Sequence, residues 1–228
     1  MAKVENRNQE EARQEKVIKQ VSKTEEFFNR YGNTIWGCLA AILLIGLGIL
    51  AYAKFYLQPK KAEAMEQTYP AEANFRNNEY DLALNGDGNV LGFSQIIDEY
   101  GTKAGKSVYL YAGICEYNLG NYDKAVSYLK KYNGKDDILS ARCYSCLGDC
   151  YVELGDLQTA LGWFEKAAAR KDNMYAATYL FKAGIVCEEL GDNAKALGFY
   201  KKIKDKYPQS KEGYDIDKYI SRLESQQK

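Results

Sequence analysis

A spacing that recurs three times constrains this chain more than anything else in it. Ala112-Gly113, Gly120 and Ala125 are followed by Leu147-Gly148, Gly155 and Ala160, then by Ala183-Gly184, Gly191 and Ala196. In each set the second glycine comes seven residues after the first and the alanine five after that, and the sets are offset by 35 and then 36 residues. Periods of that size belong to stacked helix pairs. A glycine inside a helix costs about 1 kcal/mol relative to alanine. Gly113, Gly148 and Gly184 therefore predict a neighbouring helix that comes too close for a side chain. Gly120, Gly155 and Gly191 predict left-handed helix ends, each followed by a polar-led pair: Asn121-Tyr122, Asp156-Leu157 and Asp192-Asn193. Ala125, Ala160 and Ala196 are small knobs on the second helix, and Leu129, Phe164 and Tyr200, four residues on, fill the remaining gap. Pro208 stops the last pair.

The middle set is the most complete: Leu147-Gly148, Tyr151, Gly155, Ala160, Phe164 and Ala167. It resembles the tetratricopeptide repeat nearly position for position. The other two sets depart from the pattern where Tyr151 stands, with Glu116 and Cys187 in its place, which predicts looser or locally polar packing. The resemblance implies an all-α helix-pair solenoid with three repeats over residues 106–210. A degenerate helix-turn-helix repeat is expected over 58–105, with a helix through Leu84, a turn at Asn85-Gly86-Asp87-Gly88 and a helix through Tyr100. Residues 211–228 hold the polar capping helix that such arrays need.

The N-terminal part is different in kind. Residues 1–30 carry seven basic and six acidic side chains, too polar to bury a core, and read as a solvated tail. From Tyr31 to Ala53 there are 23 residues without a charge. About 20 apolar helical residues cross a hydrocarbon layer roughly 30 Å thick. Tyr31 and Trp36 at one end, with Tyr52, Phe55 and Tyr56 at the other, are placed as interfacial belts. Residues 31–57 are therefore expected to form one transmembrane helix. Ala51-Tyr52-Ala53 imitates a signal-cleavage site, but the charged leader is too long for a secretory n-region. The 20 residues before Tyr31 hold five Lys/Arg and the 20 after Ala53 hold three, which places the N-terminus in the cytoplasm and the repeats outside.

A charged leader ending Glu26-Phe27-Phe28-Asn29-Arg30-Tyr31-Gly32, one span and then a helical repeat domain together resemble the YfgM-like bacterial family. The resemblance implies an inner-membrane anchor with a periplasmic repeat domain. It also implies partners among Sec translocon subunits and periplasmic chaperones.

Catalytic and metal chemistry find little support. The chain has no His, which removes the usual general base and the commonest zinc ligand, and no cofactor is expected. Its formal charge of zero gives no pull toward nucleic acid. Cys143, Cys146 and Cys150 crowd one helix, yet no second pair of ligands lies nearby in sequence, so they read as small packing residues. Five cysteines outside the span, an odd number, fit a reduced compartment better than a disulfide framework, against the periplasmic placement. Asn85–Asn89 begins like a calcium loop, but Val90 and Ile96 stand where the loop needs Gly and Glu, so a helix-stopping turn is expected. Of the 20 Tyr, 17 follow residue 58, mostly at helical spacing as core. Gly37 and Ala41 form a small-xxx-small pair able to seat another membrane helix.

Stacked helix pairs offer a groove lined by each first helix. Tracking one face of those helices selects Leu110, Ile114 and Tyr117, then Arg142, Ser145, Asp149 and Val152, then Phe181, Ile185 and Glu188. Such a lining suits an extended segment or a partner helix, unless the same residues are merely solvated or covered. The Lys/Asn cluster with which some members of the repeat family clamp a terminal carboxylate is missing. The expected function is a membrane-anchored, non-enzymatic scaffold that binds proteins as an accessory of the translocon or of periplasmic chaperones. A structural adaptor in envelope or cell-division assembly is the alternative.

Overall fold

The computed structural model describes residues 2–170 and 174–226. Residue 1, residues 171–173 and the last two residues of the expected cap lie outside them. The chain divides into two units, residues 1–59 and 60–228.

The first unit is a single helix, α1 (Ala2–Tyr52), continued by a π-helical turn over Ala53–Leu57. Pro59 explains the turn. It cannot donate a hydrogen bond and its ring crowds the carbonyl four residues back. A one-residue widening, with the Gln58 N–H donating to the Ala53 carbonyl, accommodates both. Between Leu39 and Leu50 the large apolar side chains are 51–68% exposed, so nothing in this unit covers them. The helix is long and apolar enough to be a membrane span or a signal sequence.

The second unit is all helix and connecting turn among the described residues. Its first helices are α2 (Gln58–Arg76), of which the first two residues belong to the first unit, α3 (Tyr80–Asn85) and α4 (Phe93–Tyr100), followed by a 3-10 turn at Gly101–Ala104. The helix expected to run through Leu84 is therefore broken. Asn78 adopts φ +62°, a left-handed conformation that Asn tolerates better than most residues, and the chain restarts at Tyr80. In the expected turn, Asp87 accepts from the backbone N–H groups of Asn89 and Val90, each at 2.9 Å. Its carboxylate is thus occupied in shaping its own turn.

Three helix pairs follow: α5 (Ser107–Asn118) with α6 (Tyr122–Lys131), α7 (Asp137–Glu153) with α8 (Leu157–Ala169), and α9 (Ala176–Glu189) with α10 (Asn193–Lys206). The final helix is α11 (Lys211–Gln226). Gly120, Gly155 and Gly191 have φ of +79°, +79° and +78°. At each, the residue after the glycine donates back across the helix end, Asn121 to Glu116, Asp156 to Tyr151 and Asp192 to Cys187, satisfying carbonyls the helix leaves open. Asp156 and Asp192 then cap the next helix by accepting from Thr159 and Lys195 N–H groups. Asn121 does not cap. Its side chain donates to Glu116 Oε2 at 2.8 Å, because Glu116 is a buried carboxylate that must be hydrogen-bonded. The local polarity expected at that position is present.

The mid-helix glycines sit under the large residues of the second helix. A Cβ on Gly113 would lie 2.6 Å from Leu129 Cγ, one on Gly148 would lie 2.5 Å from Phe164 Cε1, and one on Gly184 would meet the Tyr200 ring. Leu129, Phe164 and Tyr200 are fully buried beside Ala125, Ala160 and Ala196.

Candidate protein-binding groove

The described thiols are unpaired. Cys115, Cys143, Cys150 and Cys187 are buried in the core, and burial pushes the first three up to about 12 and Cys187 up to about 11. Such thiols are poor nucleophiles and poor metal ligands. Cys143 and Cys150 lie in the core between the first two pairs, whereas Cys146, half-buried, belongs to the wall of a groove.

That groove lies between α7 and α9. On α7, Leu139, Arg142, Ser145, Cys146, Asp149 and Val152 follow one another at helical spacing along one face. Opposite them α9 presents Tyr179, Lys182, Ile185 and Glu189. Two depressions result. One of about 390 Å³ is bordered by Arg142, Cys146, Tyr175 and Tyr179, and one of about 320 Å³ by Val152, Phe164, Phe181, Ile185 and Glu189. They share Asp149 and Lys182 as a common border, so they lie next to each other along one groove. The N-terminal halves of both helices border the first depression and the C-terminal halves the second, so the two helices run parallel.

A single ion pair forms the shared wall. Lys182 Nζ donates to Asp149 at 2.8 Å and 2.7 Å and reaches Ser145 Oγ at 3.4 Å. Burial raises the Asp149 carboxyl above its ordinary value, against the opposing pull of Lys182. Burial likewise pushes the Tyr179 phenol up to about 12 and the Cys146 thiol up to about 11, so both stay protonated at neutral pH.

The expected lining residues divide into three groups. Arg142 and Asp149 border the first depression and Asp149, Val152, Phe181 and Ile185 the second, with the buried Ser145 behind the Lys182 ammonium. Leu110 and Ile114 do not line the groove. They are 0% and 6% exposed, in the core that joins α5 and α6 to α7. Tyr117 is half-buried against that same core, its ring 5.7 Å from Tyr122. Glu188 also faces away. It accepts from Tyr200 Oη at 2.6 Å and from Arg222 at 2.6 and 2.7 Å, because it lies one turn beyond Gly184 on the stripe facing α10.

The repeat register accounts for both the buried positions and the groove. Leu110, Ser145 and Phe181 are equivalent repeat positions, as are Ile114, Asp149 and Ile185. They face the first helix of the following pair. Between α5 and α7, Leu110 and Ile114 are buried in one core with Cys143 and Leu147, with Cys146 packed at its edge, and the seam closes. Between α9 and α11, Tyr219 closes on Phe181 with ring centroids 4.9 Å apart. Between α7 and α9 the equivalent residues are Ser145 and Asp149, met by Lys182. At these facing positions the α7–α9 seam is polar where the other two are apolar, and it stays partly open. The polar contacts of the α9–α11 seam lie elsewhere on its helices, between Thr178 and Glu212 and between Glu188 and Arg222. Lys182 was not among the candidates, since it is conspicuous only when the helices of two successive repeats are set side by side. It occupies the position of Cys146 one repeat earlier.

Two tetratricopeptide repeat models match the chain, over residues 107–135 and 147–211. A crystal structure of MamA protein is 20% identical with a TM-score of 0.53, over 73% of this chain and 87% of that one. A second MamA crystal structure is 20% identical with a TM-score of 0.50, over 69% and 94%. At that identity the likeness is one of fold. No curated protein matches the chain.

Proposed function

We propose that this chain is a protein-binding scaffold, held at a membrane by its N-terminal helix, that takes a segment of a partner protein into the groove between α7 and α9. The open seam carries the proposal. A solenoid gains nothing in stability by putting Ser145, Asp149 and Lys182 where the first seam has Leu110, Ile114 and Cys146. Replacing an ion pair of this kind by packed apolar groups is commonly neutral or stabilising. A seam left polar and open, with apolar walls at Val152, Phe181 and Ile185, suits recognition better than packing.

The anchor is supported by a helix that is apolar all round and uncovered in its own unit, the character of a membrane span. The basic excess before Tyr31 supports a cytoplasmic N-terminus and a periplasmic scaffold. Four of the five thiols outside the span are buried and held protonated, which supports their staying unpaired in an oxidising compartment. On this reading the scaffold serves the Sec translocon or the chaperones around it. It carries out no reaction of its own.

The test is a photo-crosslinking amino acid at position 185 of the full chain in native membranes. Translocon subunits, chaperones or nascent chains among the adducts support the proposal. Adducts with fixed envelope components alone transfer the groove to an assembly adaptor, and no groove-dependent adduct removes it. Protease protection in sealed inner-membrane vesicles tests the topology, and cleavage of the repeats from the cytoplasmic face refutes the periplasmic placement.

A further inference from the structure

The groove is polarised along its length, and the polarity specifies what fits. Asp149 and Lys182 neutralise each other at its centre. Among the described residues that line the two depressions, two charged side chains then remain uncompensated. Arg142 is exposed beside the first depression, and Glu189 is exposed beside the second. Neither makes an ion pair or a hydrogen bond among the described residues. The parallel helices add to the same asymmetry. Their N-terminal ends, with partial positive charge, lie toward Arg142, and the partially negative C-terminal ends lie toward Glu189.

Between those charges the wall is apolar, built from Val152, Phe181 and Ile185. From Arg142 to Val152 is ten residues of helix, or roughly 15 Å at 1.5 Å per residue. That length admits about four or five residues of extended chain at 3.3 Å each, or about three turns of a docked helix.

We infer that the groove takes a protein segment charged oppositely at its two ends: an acidic residue against Arg142, an apolar side chain in the Val152–Phe181–Ile185 depression, and a basic residue against Glu189. The inference rests on the protein-binding role proposed above and adds the chemistry of the ligand. Lys182 is not an anion receptor here, because Asp149 already holds it. Arg142 is the anion-recognising residue, and its planar guanidinium suits a carboxylate. Glu189 excludes segments acidic throughout, and Arg142 excludes segments basic throughout.

Fluorescence anisotropy on the full chain in mild detergent tests this with two labelled decapeptides. One carries two Glu at one end, a central Phe-Leu and two Lys at the other end. The second has Lys in place of the Glu pair. The first binds about tenfold tighter, the scale expected when a partly exposed attraction becomes a repulsion. Arg142→Glu reverses the preference toward the all-Lys peptide, whichever way the peptide lies. Arg142→Gln levels the two, and it serves as the milder variant should the charge reversal disturb folding. Equal binding of both peptides to the wild-type chain, or an unchanged preference in both variants, overturns the polarity and leaves the groove standing. Binding of neither peptide overturns the groove as well.

Discussion

Gly148→Ala is the most direct test of why each helix pair holds a glycine at its centre. The added methyl would lie 2.5 Å from Phe164 Cε1 and 2.7 Å from Cδ1, whereas carbon atoms prefer about 3.5–4.0 Å. The ring must retreat by about 1 Å, and it is fully buried. Overpacking of this kind costs about 1–3 kcal/mol, against a gain of about 1 kcal/mol in helix propensity. The net is a loss of about 0–2 kcal/mol. Gly162, two residues from Phe164 on α8, supplies the control, since a Cβ there meets nothing within 4 Å. Gly162→Ala therefore stabilises by about 0.5–1 kcal/mol, so one chemical change has opposite signs at two positions a few residues from the same ring. The assay is urea unfolding of the full chain in mild detergent, followed by Trp163 fluorescence in a Trp36→Phe background, with midpoints compared at constant slope. In a Phe164→Leu background the cost of Gly148→Ala shrinks by about 1 kcal/mol, as contacting residues should couple. If Gly148→Ala raised the midpoint as much as Gly162→Ala does, close approach would not be the reason for the glycine.

Transplanting the closed seam into the open one, with Ser145→Leu, Asp149→Ile and Lys182→Cys together, raises stability by about 1–3 kcal/mol and abolishes peptide binding; retained binding refutes the groove. The Asp149 carboxyl titrates above its ordinary value by carbon-13 NMR, and higher still in Lys182→Met, which removes the opposing cation. Its folded value exceeds the unfolded one near 3.9, so the stability it contributes is full below that value and declines as pH rises through the folded value; a midpoint below 3.9 refutes this. Tyr200→Phe removes a 2.6 Å bond to the Glu188 carboxylate and costs about 1.5–3 kcal/mol. It speeds amide exchange in α11, which Arg222 ties to the same carboxylate, and unchanged exchange there separates the two contacts.

The parts of the fold legible in the sequence are those determined within one repeat. A glycine at an unfavourable mid-helix position implies a neighbour, and the large residue four beyond the small knob is that neighbour; Gly148 and Phe164 meet as the spacing requires. Glu116 in a buried slot implied a polar partner, and Asn121 gives up its capping role to supply one. What escaped depends on relations between repeats or on one residue's backbone. Leu110 and Asp149 share a register, so tracking one helix face treats them alike. Which of them closes a seam depends on the residue brought up by the next repeat, Cys146 or Lys182. Glu188 likewise looked available until Tyr200 and Arg222, 12 and 34 residues further on, competed for it. The break before Tyr80 rests on the left-handed conformation of Asn78, which composition does not announce.

The three seams also differ in what holds them. Burying a Leu or Ile side chain is worth about 1.5–3 kcal/mol, so Leu110 and Ile114 bind α5 to α7 directly. The Lys182–Asp149 pair, with side chains 36% and 22% exposed, is worth at most about 1 kcal/mol, as partly exposed pairs generally are. Helices α7 and α9 are therefore joined chiefly through α8, whose Phe164 and Leu161 enter the core beneath both. A seam with a weak direct contact and a strong indirect one can widen without dismantling either helix pair. Opening the α5–α7 seam would expose Leu110 and Ile114, and opening the α9–α11 seam would part Phe181 from Tyr219, so both resist the same movement at those positions. Under the proposed role, adjustment to a bound segment falls on the interface that carries Arg142 and Glu189, and the polar residues that weaken the direct contact between α7 and α9 are the ones that would shape the groove.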